Sequence, residues 1–246
     1  MAFSSEEYLN WRMGATRQRT GRHLSRTPNQ QAVEDNSDAI PEWKRQSIDR
    51  SLQVARARAQ ERSGRFVDAA LELMQDRGST DFTVQDVVDR SRMSIRTFYN
   101  FFASKDDLLV AVHETILADH VTPHVRARCD AESDPVERVR AFIEALVELA
   151  TDAGPVSRAL TTYQNRLAEA RPDDLDRAFQ PQIALMVELV SDAADSGQLR
   201  SDLSPETAAH LLYYAVLAVV HDRILGHGSE VTPDELWQFC ASGVGA

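Results

Sequence analysis

Between Thr83 and Leu108 the chain reads TVQDVVDRSRMSIRTFYNFFASKDDL, with hydroxyl residues at 83, 94 and 104. A hydroxyl at a helix N-cap accepts a bond from an orphan amide in the first turn, and an acid three residues on returns one. Thr83 has Asp86 at that distance and Ser104 has Asp107. Three helix starts inside 22 residues leave room only for two short helices and a tight turn. The spacing predicts a first helix from Val84 to about Arg90, with Val84, Val87 and Val88 on its apolar side. It predicts a second from Ile95 to about Phe101, with Ile95, Phe98 and Phe102 facing inward. Ser91-Arg92-Met93 makes the turn, and the whole describes a helix-turn-helix. Burial of Ile95 and Phe98 pushes Arg96, Thr97, Tyr99 and Asn100 to the other face. That face suits a DNA major groove, where Arg bonds guanine edges, Thr touches a thymine methyl, and Tyr and Asn reach bases or phosphates.

The rest of the chain also reads as helix. Phe66, Ala69, Ala70, Leu73 and Met74 repeat at the spacing of one buried helix face, and Gly78 suits the end of that helix. Thr232-Pro233-Asp234-Glu235 and Ser204-Pro205-Glu206 put Pro at a first helical position after a hydroxyl cap. Breaks fall at Asp134-Pro135, Gly154-Pro155, Arg171-Pro172 and Ser196-Gly197. β-branched residues alternate over no useful length, so the expected fold is all-α with about nine helices.

The chain has 246 residues and a formal net charge of -11. Taken alone, that charge argues against a nucleic-acid partner, but it is unevenly spread. Residues 1–53 carry 8 Lys/Arg and 7 Asp/Glu, residues 54–105 carry 9 and 7, and residues 106–246 carry 10 and 24. The helix-turn-helix therefore lies mostly in a mildly basic segment, and the acidity lies behind it. Cys129 and Cys240 make no disulfide framework and read as free thiols of a reducing compartment. The opening MAFSSEEYLNWRMG lacks the apolar core of a secretory signal, and no apolar run reaches the length expected to span a membrane, so a cytoplasmic protein is expected. Residues 1–45 are polar and read as a disordered arm, within which Arg12–Arg26 carries five arginines and no acid. Such a run either follows DNA phosphates or stays solvated.

Residues 62–109 resemble the DNA-binding domain of the tetracycline-repressor (TetR) family of bacterial regulators. The residues that carry the resemblance are Thr83, Ser94, the pair Phe98-Tyr99, Phe102, Lys105 and Leu108-Leu109. SGQLRSDLSPETAA (Ser196–Ala209) is similar to that family's connection into its dimerising helices, so the likeness extends over about residues 55–245. Two positions depart from the pattern: Arg92 stands at the family's turn glycine, and Arg96 at its usual glycine in the recognition helix. The resemblance implies a division into residues 1–45 (the arm), 46–108 (DNA-binding domain) and 109–246 (ligand-binding and dimerisation domain). DNA contacts are expected from Thr83, Ser94, Thr97, Tyr99 and Asn100, and the resemblance implies one from Lys105 to phosphate; Arg96 is a base reader by its position alone.

In the larger half the resemblance implies a pocket for a small-molecule effector. Polar groups on otherwise apolar helices are the candidates: His113, His120, Tyr163, Asn165, Tyr213 and His221. The apolar helices favour a lipophilic or acyl-type effector. AAHLLYYAVLAVVHDRILG (Ala208–Gly226) is apolar nearly all round and needs burial on several sides. Leu211, Ala215, Ala218 and Val219 share one stripe, small enough for close approach, and the resemblance makes it a homodimer interface. No catalytic motif, no metal-ligand spacing and no cofactor fingerprint is present, so no enzyme is expected. The expected function is a ligand-responsive regulator, acting as a repressor, that binds a palindromic double-stranded DNA operator as a dimer. The alternative is an architectural or interaction protein that binds DNA without a small-molecule ligand. Removal of residues 1–45 is expected to leave folding and dimerisation intact. If the arm follows DNA, truncation lowers affinity most at low salt; identical affinity across a salt series would show a solvated tail.

Overall fold

A computed structural model describes residues 41–199, 202–228 and 230–244, and the proposed arm, Arg12–Arg26 included, lies outside them. The regular elements among the described residues are helices, apart from an isolated bridge residue at Leu199. They are α1 (Glu42–Arg77), α2 (Val84–Ser91), α3 (Ile95–Tyr99), α4 (Lys105–Ile116), α5 (Thr122–Asp130), α6 (Pro135–Thr151), α7 (Pro155–Ala170), α8 (Pro172–Asp195), α9 (Pro205–Leu225) and α10 (Pro233–Val244). A π-helical turn, Leu117–Val121, joins α4 to α5. The fold is all-α, as the periodicity requires. Contacts divide the chain into residues 3–64 and a body that begins at Arg65. The first is described from residue 41 and is helical and solvent-exposed up to Arg62. In the body, the last turns of α1 bury Phe66, Ala69, Ala70, Leu73 and Met74, the residues marked by the helical repeat. Gly78 closes α1 in the left-handed region at φ 63°, its amide bonded to Met74 O at 2.8 Å.

Helices α6, α8 and α9 pack on one another at the centre of the body. Phe142, Ile143, Leu185, Met186, Leu189, Tyr213 and Val216 are almost fully enclosed there. Helix α5 adds Val125 and Cys129 to this core and α10 adds Leu236, Cys240 and Val244. Both cysteines are free and buried. The starts read from the sequence are the starts seen. Asp134 accepts from the amides of Val136 and Glu137, Ser204 from Thr207, and Thr232 and Glu235 form a reciprocal box.

Two features depart from the sequence expectations for a physical reason. The π turn widens the helix ahead of Pro123, which has no amide to donate and whose ring crowds the carbonyl of Asp119. Helix α9 is 21 residues long and is apolar enough, by length and composition, to cross a bilayer, although no such run was expected. Part of its apolar character serves the core: Ala208, Ala209, Leu212, Tyr213 and Val216 are buried against the body. Burial is one-sided, and Leu211 and Tyr214 on the other side are more than half exposed.

The turn between α2 and α3 confirms the departure at position 92. Arg92 is the one non-glycine residue at positive φ among those described, at φ 56° and ψ 33°. Its amide bonds Asp89 O and the next amide, of Met93, bonds Val88 O, a glycine-type helix ending built on an arginine. An L-residue there carries about 1–2 kcal/mol of backbone strain. Arg92→Gly is therefore expected to raise the unfolding free energy by about 1 kcal/mol in urea denaturation; a lower value would show that the arginine side chain compensates for its backbone.

Candidate nucleic-acid interface and effector site

The helix-turn-helix rests on an aromatic cluster. Phe98 and Phe66 are fully buried and meet edge to face at 5.4 Å. Phe102 joins them at 6.2 Å from Phe66 and 5.5 Å from Phe98. Edge-to-face contacts of this kind add about 0.5–1.5 kcal/mol each to the burial itself. They fix the roll of α3 about its axis. Thr83 caps α2 reciprocally with Asp86, whose carboxyl is held down to about 2 by the bond from the Thr83 backbone and by Arg77. Ser94 caps α3, accepting from the amide of Thr97 at 3.1 Å and lying 2.8 Å from its hydroxyl.

Helix α3 is shorter than expected and ends at Tyr99. The amide of Asn100 is shared between Arg96 O and Thr97 O, and Phe101 bonds back to Phe98 O, so the last turn tightens. The exposed face holds Ser94, Arg96, Tyr99 and Asn100, with Thr97 half-buried at its edge. Ile95 was expected inward but is 47 % exposed and stands on this same face. A helix of five residues has only one inward turn, and Phe98 fills it. Ile95 thus adds an apolar group to a polar surface, the kind of contact that reads a thymine methyl; the i, i+3 spacing had concealed it.

Lys105 is placed differently from the other candidate DNA contacts. Its ammonium is half-buried, donates to Thr80 O at 3.0 Å and Phe82 O at 3.1 Å, and lies 5.3 Å from the centre of the Phe82 ring. It closes the loop between α1 and α2 from inside, with one N–H left over.

The first turn of α4 also reaches the larger half. Asp107 accepts from the amides of Ala103 and Ser104 with one oxygen, while its other oxygen takes Arg171. Asp106 accepts the hydroxyl of Tyr163. Arg171 continues to Asp174, Asp174 to Arg177, and Arg177 returns to Glu114 on α4 at 3.1 Å. An alternating chain of acids and arginines therefore joins both ends of α4 to the α7–α8 junction and to α8.

The pocket candidates separate into groups. Tyr163 is buried but turned to Asp106, and Asn165 is exposed on α7. His113 and Tyr213 both pack on Phe179, at 5.3 Å and 6.4 Å between ring centres. The Tyr213 hydroxyl donates to Gln182 Oε1 at 2.6 Å. Burial, helped by the nearby His221, pushes His113 down to about 4. His221 and His120 are half-buried and pushed down by the same cause. Gln182 was not singled out from the sequence; a lone amide 31 residues from its partner gives no local signal. Leu211 and Ala218 are exposed, and Ala215 and Val219 half-buried, the latter two lining an open groove of about 650 Å³ with Val231, Leu236 and Phe239.

A compact helix-turn-helix with an exposed, mixed-chemistry face, tied by one helix to a helical body, defines the class of a DNA-binding regulator. Residues 66–112 match the family described as bacterial regulatory proteins, tetR family. The chain is 23 % identical over 147 residues to the HTH-type transcriptional repressor DhaR of Mycobacterium sp. (strain GP1), covering 60 % of this chain and 74 % of that one. It is 30 % identical over 102 residues to the HTH-type transcriptional regulator BetI of Paraburkholderia phymatum, covering 42 % of this chain but only 52 % of BetI. Among solved structures it resembles Thermus thermophilus FadR, a TetR-family repressor in complex with lauroyl-CoA, at TM-score 0.58 and 22 % identity, covering 73 % of this chain and 91 % of that one. The family match thus falls on the helix-turn-helix and the start of α4, and the likeness of the remaining helices to solved structures is one of fold.

Lys105→Met is expected to lower the unfolding free energy by about 1–3 kcal/mol, the loss of two charge-assisted bonds to carbonyls. Urea denaturation reads this directly. A fall of about one unit in the salt slope of DNA binding would show a phosphate contact in addition.

Proposed function

We propose that the protein is a ligand-responsive repressor that binds an inverted-repeat operator as a homodimer. The observation that carries this reading is the exposed face of α3, held at a fixed angle by the Phe66–Phe98–Phe102 cluster. Arg96, Thr97, Tyr99, Asn100 and Ile95 enter the major groove, Arg96 reading guanine. Thr83 and Ser94 bring their helix N-termini to phosphates while capping them. Lys105 sets the loop on which Thr83 stands and offers its remaining N–H to the backbone. Residues 46–108 act as the DNA-binding domain and residues 109–246 as the effector and dimerisation domain.

The dimer forms through the outer side of α9 and through α10. Leu211, Tyr214 and Phe239 are each more than half exposed there, and Ala215, Ala218 and Val219 allow two helices to approach closely. The effector is lipophilic and enters between α4, α8 and α9. The lauroyl-CoA complex of the FadR relative supports an apolar ligand in this fold. Because α4 starts at the DNA-binding unit and carries His113 in its later turns, a ligand that tilts α4 changes the separation of the two recognition helices. Linkage then requires operator DNA to weaken ligand binding by the same factor, ordinarily about 5–150-fold.

The test is recovery of genomic DNA fragments bound by the full chain, together with light scattering. An inverted repeat with half-sites about 34–36 Å apart, or a modest extension of that, and a dimer at micromolar concentration are expected. Arg96→Ala should then relax sequence preference at one position of each half-site. A stable monomer, or fragments with no common sequence, would favour an architectural DNA-binding protein instead.

A further inference from the structure

The core of the body holds polar atoms that nothing in the protein satisfies. Gln182 is 2 % exposed and its Oε1 accepts from Tyr213, yet its Nε2 has no partner. Exchanging the two ends of the amide would only move the deficit, because the hydroxyl of Tyr213 can serve one end at a time. His113 is 8 % exposed and its Nε2 is likewise unpartnered. Phe179 touches both the His113 and the Tyr213 rings and lies one turn before Gln182 on α8, so the three polar groups surround one apolar side chain. Two helix irregularities stand beside them. Pro181 removes a backbone bond from α8 next to Gln182, and the π turn follows α4 a few residues after His113. Native cores rarely leave such groups unpaired, and π turns are frequent beside functional sites, so the coincidence of both here asks for a function.

We propose that the His113–Gln182–Tyr213 cluster recognises a neutral oxygen, hydroxyl or carbonyl, on an otherwise apolar effector, and discriminates against the matching carboxylate. This rests on the ligand-responsive reading above and adds the chemistry of its ligand. A carbonyl oxygen accepts from Gln182 Nε2–H. A hydroxyl does the same and donates its own proton to His113 Nε2. Phe179, half-buried, is the side chain that must move to admit the apolar part. A carboxylate has no counter-charge here. Burial keeps the Tyr213 phenol protonated and His113 neutral at pH 7, so an anion would lose its hydration with no cation in the cluster to replace it.

The test uses three probes of one chain length, 2-octanone, 1-octanol and octanoate, with the full chain at pH 8 by calorimetry and thermal shift. The ketone and the alcohol are expected to bind and raise Tm, and octanoate to bind at least about tenfold more weakly. The double variant Gln182→Leu/Tyr213→Phe removes both partners of the buried pair together. It is expected to unfold at or above the wild-type Tm and to bind the neutral probes at least about tenfold more weakly. Should that variant fail to fold, His113→Leu serves with the same expectation. Equal binding of octanoate and 2-octanone, undiminished binding by the variants, or no binding of either neutral probe to the wild type would overturn the proposal. Operator binding by the unliganded wild type is read separately. Its absence would overturn the regulator reading, whatever the probes do.

Discussion

Three consecutive side chains at the start of α4 hold the helix-turn-helix and the helical body together. Lys105 reaches the carbonyls of Thr80 and Phe82, Asp106 takes the hydroxyl of Tyr163, and Asp107 caps its own helix while taking Arg171. The first fixes α4 to the loop in front of the helix-turn-helix. The other two fix it to α7 and the start of α8. Ion pairs at an exposed surface contribute little, but here the carboxylates are about three-quarters enclosed and each also accepts a hydrogen bond from a neutral or backbone donor or a guanidinium. Charge-assisted bonds in such a setting favour one register of α4 over its alternatives, which is what a switch through this helix requires.

Stability and readiness to bind are in tension farther along the same helix. The aromatic cluster under α3 is fully packed, whereas the groups around Phe179 leave an amide and an imidazole nitrogen unpaired. Each such group costs about 1–3 kcal/mol in the unliganded protein. Under the proposal that this cluster binds a neutral oxygen, that cost is recovered on binding and the bound state is the better-satisfied one. A core selected for stability alone would replace Gln182 and Tyr213 with apolar side chains.

The sequence carried local structure well and long-range structure poorly. The caps at Thr83, Ser94, Ser104, Ser204 and Thr232 stand where their hydroxyls predict, because a cap and its partner are three residues apart. The strain at Arg92 was legible only through the resemblance, which puts a glycine at that turn position, the residue type that takes a positive φ without cost. Ile95 was misplaced because spacing alone does not tell that α3 stops at Tyr99. Lys105 was expected at a phosphate, and its bonds to Thr80 O and Phe82 O left no sequence signal because these acceptors are backbone atoms more than 20 residues away. Gln182 carried no sequence signal, since its meaning comes from Tyr213, one helix over. The apolar character of α9 was visible, but which side would be buried depended on the packing of α6 and α8.

The central claim is that α4 is tied at its first turn to the α7–α8 junction, so that a change in the core is felt at the helix-turn-helix. Hydrogen exchange of the double variant Tyr163→Phe/Arg171→Ala tests it without any ligand. The account predicts faster exchange in α4 and in the second half of α7, with the protection of α6 and α9 retained. Unchanged exchange in α4 would contradict it.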